Sequence, residues 1–532
     1  MDPMKRFEAV CAAMTDPRCY PHPVMGIERR DTHISAVFLT GQWVYKLKKP
    51  LNLGFLDFRE LSERKKFCER EVLLNRRLSQ GIYVDTVHIA EDNNMGFTLE
   101  GPGNVAEYAV KMRQIPDPCR LSSLIQENAI ADSDLEQLGG LLASFYEKST
   151  GNDTIEAFGR RDALIFNSEE NFQQIDPYAN RLLDAERWKF VCEVNRSFLY
   201  HQHALFERRI ETGKIRDGHG DLRTDHIYFF DGIQIIDCIE FNDRFRYGDI
   251  AADMAFLHMD LEGLGHPEQS QAILKGYVDR SKDFDLYGII DFYAAYRAIV
   301  RLKVACIRYD EVDTETQRCS LGDEITAHLD QAYRYTVMFS RPTLWVFCGL
   351  PASGKSSLAQ RISHILSAGV IASDALRKQM HFGPKVSAYG NGAYSEENRR
   401  RVYVRMLTLA HERLRSGHSV ILDATYSTRR SRREVVELAK DMESSLIFVQ
   451  CACDREILSL RLKERETTPG LSDARLAHLD GMINHFEPIT EMDPATFLST
   501  DTSRSLDLSV QQILMESYLL KSAQIQHLIG TM

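Results

Sequence analysis

Gly349-Leu350-Pro351-Ala352-Ser353-Gly354-Lys355-Ser356 follows the apolar run Leu344-Trp345-Val346-Phe347 and precedes a helical stretch. A glycine-rich turn between a strand and a helix, ending in Gly-Lys-Ser, matches G-x-x-x-x-G-K-[ST] in the context that gives this pattern its meaning. Gly349 and Gly354 let successive backbone N–H groups turn inward on phosphate oxygens at a helix N-terminus. Lys355 then reaches the β- and γ-phosphates, the Ser356 hydroxyl can ligand Mg²⁺, and Ser357 stands beside it on the phosphate side. A chance glycine turn is the bland alternative, and the strand and helix on its flanks weigh against it.

Outward from this turn, apolar strands recur at Val370-Ala372, Val420-Leu422 and Leu446-Val449, separated by helical stretches. Glu396 to Arg415 is one of these, with Val402, Met406 and Leu409 at helical spacing. Strand, turn and helix in alternation predict an α/β domain with a parallel sheet. The run Val420-Ile421-Leu422 ends at Asp423, where a carboxylate either holds the hydration shell of magnesium or caps a strand. Asp374, after the second strand, either takes the proton of an acceptor hydroxyl or N-caps the next helix. Arg461 and Arg465 stand four apart on one helical face, placed to grip a transferred phosphate or to sit in solvent.

Together, GLPASGKSS (349–357), SDALRKQM (373–380), VILDATY (420–426) and RLKERE (461–466) resemble the small-substrate and zeta-toxin-like P-loop kinases. That broad group includes gluconate kinase and the kinase part of polynucleotide kinase. The resemblance spans about Leu344 to Ser472 and implies phosphoryl transfer from ATP with Mg²⁺, leaving the acceptor open.

Nearer the N-terminus, two β-runs flank Thr40-Gly41 between His33 and Leu47, followed by a charged helix from Leu61 to Leu78 and strands at Gly96-Leu99 and Tyr108-Met112. After Pro116-Asp117-Pro118 the pattern is helical until Asp217, where His226-Phe230, Asp231-Gly232 and Ile233-Asp237 read as a hairpin. His219-Gly220-Asp221-Leu222 followed by this hairpin resembles the catalytic segment of the aminoglycoside phosphotransferase and choline kinase families, over about His33 to Asp260. By that resemblance Asp221 accepts or orients the acceptor proton and Asp237 coordinates Mg²⁺. Lys46 reaches the ATP phosphates with Glu71 as its ion-pair partner, Lys48 and Glu69 remaining open as substitutes. Glu107-Met112 takes the place of the interlobe hinge that binds adenine, and Asp249 and Asp253 brace the catalytic loop. Two departures stand out. His226 occupies the position of the family's metal-binding Asn, and the phosphate loop offers only Gly41. A nucleotide-binding module without transfer is therefore the alternative. Arg297, Arg301 and Lys303 form a basic face that either receives an anionic acceptor or faces solvent.

The chain of 532 residues exceeds one domain, and 44% hydrophobic with 27% charged residues suits folded units throughout. A net charge of -11 and a pI of about 5.9 weigh against nucleic acid and favour a small-molecule phosphate acceptor. No apolar run is long enough for a membrane span and the N-terminus has no signal core, which places the protein in the cytoplasm. The 11 cysteines lack metal-site spacing, Cys451-Ala452-Cys453 being the only close pair, and His201-Gln202-His203 reads as surface. The expectation is a two-lobed α+β protein-kinase-like domain over 1–340 followed by an α/β P-loop NTPase domain over 341–532. Function follows as a bifunctional ATP- and Mg²⁺-dependent kinase of small polar molecules. The alternatives are a P-loop ATPase regulated by a pseudokinase-like module and a kinase of nucleic-acid ends.

Overall fold

Alternating burial along the N-terminal strands builds a sheet with two covered faces. The computed structural model describes residues 2–54, 56–92, 96–380, 395–467 and 475–531. Strands β1 (Glu28–Asp31), β2 (Ser35–Leu39), β3 (Trp43–Lys48), β4 (Tyr83–Asp92), β5 (Gly96–Leu99) and β6 (Asn104–Arg113) pair antiparallel in the order β1-β2-β3-β6-β4-β5. Successive side chains of a strand point to opposite faces. Tyr45 and Leu47 of β3 therefore pack with Phe38, Val87 and Ile89 against Phe7 and Val10 of the helix Pro3–Ala13. Val44 turns the other way, with Val110 and Met112, toward Cys68 and Val72 of the helix Leu61–Asn75. Lys46 and Lys48 share that second face.

This sheet moves two expected loops. Glu107-Met112 lies inside β6, where Ala109–Met112 is paired with β3 on one side and β4 on the other, so that stretch has no free hydrogen-bonding edge for adenine. The strand ends at Arg113, and the chain leaves the sheet after it. Gly41 sits in the tight β2–β3 turn, where its N–H donates to Gln114 Oε1 at 3.0 Å. The loop between β1 and β2, Thr32-His33-Ile34, contains no glycine. Downstream, β7 (Ile215–Asp217) pairs with β10 (Tyr247–Asp249), and β8 (Ile227–Phe229) with β9 (Ile233–Ile235) as the expected hairpin.

The C-terminal sheet is parallel, with β11 (Thr343–Cys348), β12 (Gly369–Ala372), β13 (Val420–Asp423), β14 (Ser445–Ala452) and β15 (Phe497–Asp501) in the order β12-β13-β11-β14-β15. Every residue of β11 is buried, as a central parallel strand covered on both faces must be. Val402, Met406 and Ala410 of the helix Glu396–Arg415 and Val435 of Arg429–Asp441 cover one face over Leu344, Val346 and Leu422.

An α+β kinase-like region thus precedes an α/β P-loop region, in the expected order. The compact units do not follow that order along the chain: one holds 1–164 and 206–282, the other 165–205 and 283–532. In the second unit the helices Ala185–His201, Leu286–Glu311 and Glu315–Ser340 pack together, and Phe198 stacks on Phe292 at 5.0 Å. The basic face is spent there. Arg297 is buried, Arg301 pairs with Glu324 at 3.2 Å, and Lys303 donates to Asn171 at 2.7 Å. Among the described residues no helix is long and apolar enough to cross a membrane.

Candidate active sites

In the N-terminal unit, the two-residue period of β3 sends Lys46 and Lys48 into one buried cluster of charge. Glu71, on the helix Leu61–Asn75, holds Lys46 Nζ at 3.0 Å on Oε1 and Lys48 Nζ at 2.7 Å on Oε2. Lys46 also pairs with Asp237, and Lys48 with Glu240. Glu69 is out of reach, exposed and 3.5 Å from Lys65. Desolvation pushes the Glu71 carboxyl up, but the two ammonium groups outweigh it and hold the pKa below the ordinary value. Asp237 is likewise drawn far down, since Lys46, with help from His226, outweighs its desolvation. Its backbone sits at φ +65, a conformation rare for a residue with a side chain and common where a site demands it.

The residues around His219 and Asp221 converge on the same place. Asp253 accepts the N–H groups of His219 at 2.7 Å and Gly220 at 2.9 Å, and Asp249 pairs with buried Arg209 at 2.7 Å. Asp253 thus braces the loop, while Asp249 caps the N–H of Ala251 at 2.8 Å besides holding Arg209. Asp221 faces Arg223, whose Nε lies 3.1 Å from Oδ1. His226 Nδ1 lies 2.8 Å from the Asp221 carbonyl oxygen and Nε2 lies 3.1 Å from an Arg223 nitrogen. The imidazole thus lies between the two, a ring nitrogen within hydrogen-bonding distance of each. It stands 3.7 Å from Asp237, so nitrogen occupies the place where the resembling families put an amide oxygen.

In the C-terminal unit the turn after β11 is a cradle of backbone. Gly349 takes φ +143, and a Cβ there would come within 2.6 Å of the Cys451 carbonyl oxygen, so only glycine fits. Lys355 begins the helix Lys355–Leu366. Asp423 ends β13 with its carboxyl hydrogen-bonded by Ser356, and burial pushes its pKa up despite that bond and the neighbouring Lys355. Its Oδ1 is buried with no hydrogen-bond partner among the described residues. Asp374 lies in the first turn of the helix Ser373–Gln379, whose N-cap is Ala372, so the capping alternative fails; it pairs instead with Arg377. Arg461 is not a solvated residue either. It donates to the Thr502 carbonyl at 2.6 Å and to that of Ala352 in the turn at 3.3 Å.

A cavity of about 460 Å³ opens beside the turn, lined by Gly354, Ser357, Arg461, Arg465, Thr502 and Arg504 among others. The sequence-predicted Gly354, Ser357, Arg461 and Arg465 meet there, and Thr502 and Arg504, just beyond β15, join them unforeseen. In the N-terminal unit the unforeseen groups are Glu240 and Arg223. Their signals were a carboxylate inside the apolar run Cys238-Ile239-Glu240-Phe241 and a cation two residues after Asp221.

A protein-family model described as an AAA domain matches residues 344–489. Proteins printed as uncharacterized, from Mycobacterium tuberculosis and Mycobacterium bovis, are 33% identical over 469 residues, covering 86% of this chain and 90% of theirs. Among solved structures, a choline/ethanolamine kinase family protein from Mesorhizobium loti is 15% identical over 62% of this chain and 99% of its own, with a TM-score of 0.36. A gluconokinase from Sinorhizobium meliloti is 20% identical over 35% of this chain and 98% of its own, with a TM-score of 0.27. The APS kinase of Mycobacterium tuberculosis is 21% identical over 34% and 98%, with a TM-score of 0.25.

Proposed function

The chain belongs to the family of these mycobacterial proteins, and from that premise we propose that it is an ATP-dependent phosphotransferase with two nucleotide sites, one before and one after about residue 341. Its acceptors are hydroxyls of small polar molecules, and it works in the cytoplasm. The observation that carries the reading is the buried, unpartnered Oδ1 of Asp423, set beside Ser356 and Lys355 at the foot of a backbone cradle. A buried carboxylate oxygen without a donor is costly unless a cation or donor arrives. Carboxylate and hydroxyl oxygens suit Mg²⁺, a hard ion that keeps much of its water. Ser356 and Asp423 would hold it in the C-terminal site and Asp237 in the N-terminal one. When bound, Mg²⁺ neutralises charge on the ATP phosphates.

The chain's own residues supply the rest. Lys355 and Lys46 offset phosphate charge, and Arg461 and Arg465 line the cavity beside the turn. Asp374 and Asp221 take the proton of the acceptor hydroxyl as its oxygen bonds to the γ-phosphorus and the bond to ADP breaks. One observation favours a second reading of the N-terminal site, as a nucleotide-binding regulator without transfer. His226 offers nitrogen where magnesium prefers oxygen, and Arg223 already engages Asp221.

Calorimetric titration with MgATP tests the main reading. Wild-type protein is expected to show two binding events, Lys355→Ala weakening one and Asp237→Ala the other, with neither change unfolding the chain. A single event that answers to Lys355→Ala alone refutes the two-site reading.

A further inference from the structure

Lys48 is a fully covered cation of the N-terminal site, and among the described residues it pairs with Glu71 and Glu240 rather than with Asp221 or Asp237. A lone Lys–Glu pair needs one lysine. Here the second lysine closes a ring. Lys46 bridges Glu71 and Asp237, Lys48 bridges Glu71 and Glu240, and Glu240 lies three residues after Asp237 on the same loop. The two oxygens of Glu71 are thereby divided: Oε2 accepts a hydrogen bond from Lys48, and Oε1 faces Lys46 as an ion pair at 3.0 Å, with no hydrogen-bond partner among the described residues. We propose that Lys48 and Glu240 are positioning residues that fix the Glu71 carboxylate and, through the ring, hold Lys46 and the Asp237 loop in register for nucleotide.

The physical reason lies in burial. Glu71 and Glu240 are both covered, and an unpaired carboxylate in such a place is strongly disfavoured. Without Lys48, Glu71 could meet its needs by turning both oxygens to Lys46, which would draw that ammonium away from the phosphates. With Lys48 in place one oxygen is taken, so Lys46 keeps a single tie to the helix Leu61–Asn75 and a single tie to Asp237. The ring also links three separate pieces of chain, β3, that helix and the loop after β9. Desolvation, with the nearby Glu71 charge, lifts the Glu240 carboxyl above its ordinary range, in keeping with its place as the outer member that Lys48 must hold. The Lys48 ammonium also lies 5.3 Å from the centroid of the buried Phe58 ring.

The inference rests on the N-terminal site being a nucleotide site, and the test separates the two claims. The full chain carrying Lys355→Ala is titrated with MgATP, so that the remaining event reports the N-terminal site. Lys48→Met is expected to weaken that event about 10- to 100-fold, the usual effect of losing a residue that orients a ligating group. Lys48→Arg is expected to restore most of it. If Lys48→Met alone does not fold, Lys48→Met with Glu240→Gln removes one charge of each sign and replaces it. Adding the Lys48 change to Glu71→Gln is expected to cost nothing further, because Lys48 acts through Glu71. Additive losses, or no loss while Lys46→Met abolishes binding, overturn the positioning role and leave the nucleotide site standing. No remaining event in the Lys355→Ala chain overturns both.

Discussion

His219 shows how one side chain ties the loop that carries Asp221 to the stability of the N-terminal unit. Its ring is buried, Nε2 lies 3.0 Å from the Ile236 carbonyl oxygen, and burial pulls its pKa down to about 4. The folded pKa is depressed below the unfolded value, so the unfolded chain binds the proton first as pH falls. The contribution of neutral His219 is therefore complete above about pH 6.5 and is lost as pH falls toward 4. Removing the titration with His219→Gln is expected to flatten the fall in unfolding free energy between pH 7 and pH 4.5, by up to about 3 kcal/mol, at about 1.4 kcal/mol per unit. Denaturant unfolding of both proteins at the two pH values measures this, and equal slopes would disprove it. Asp221, Asp237 and His226 were singled out by the resemblance that His219-Gly220-Asp221 and the hairpin after it carry, a short-range order written in the chain. Glu240 was not, because what marks it is a lysine 192 residues away.

At the scale of elements, the turn from β11 into the helix Lys355–Leu366 is tightly constrained. Gly349 holds a backbone conformation closed to other residues and lies against the Cys451 carbonyl of β14. Gly349→Ala is expected to distort the cradle at a cost of about 1 to 3 kcal/mol, lowering nucleotide affinity at this site about 10- to 100-fold with the fold retained. Calorimetry beside circular dichroism checks it, and wild-type affinity would show that the cradle tolerates a Cβ. The elements themselves were read unevenly. β2, β3, the β8–β9 hairpin and four strands of the parallel sheet carry strong apolar or turn signals. β4 and β15 do not, since Tyr83–Asp92 mixes acids with apolar residues and Phe497–Asp501 is short and half polar. Each becomes a strand because a neighbour, β6 or β14, offers its edge. Pairing on both sides likewise closed the backbone of Ala109–Met112 to adenine.

For the whole molecule, the packing boundary and the boundary of chemistry differ. The helices Leu286–Glu311 and Glu315–Ser340 precede the P-loop strand, yet they belong to its compact unit and pack on Lys355–Leu366 and Leu506–Thr531. A Cβ on Gly288 would stand 2.6 Å from the Ile365 carbonyl oxygen. Gly288→Ala is expected to destabilise the C-terminal unit by about 1 to 3 kcal/mol, as overpacking does, seen as a lower melting midpoint of the full chain. A fragment starting at 341 should lose cooperative unfolding for the same reason, and a fragment melting like the intact unit would refute this packing account. The sequence by itself determined what depends on neighbours along the chain: the glycine turn after β11, the hairpin after Asp221, the alternation that makes one sheet parallel and the order of the two regions. Only the tertiary structure decided which lysine meets Asp237, where the sheet leaves a free edge, and which helices cover the P-loop sheet. Those outcomes depend on groups far apart in the chain, and burial and charge pairing choose among them only once the chain has closed on itself.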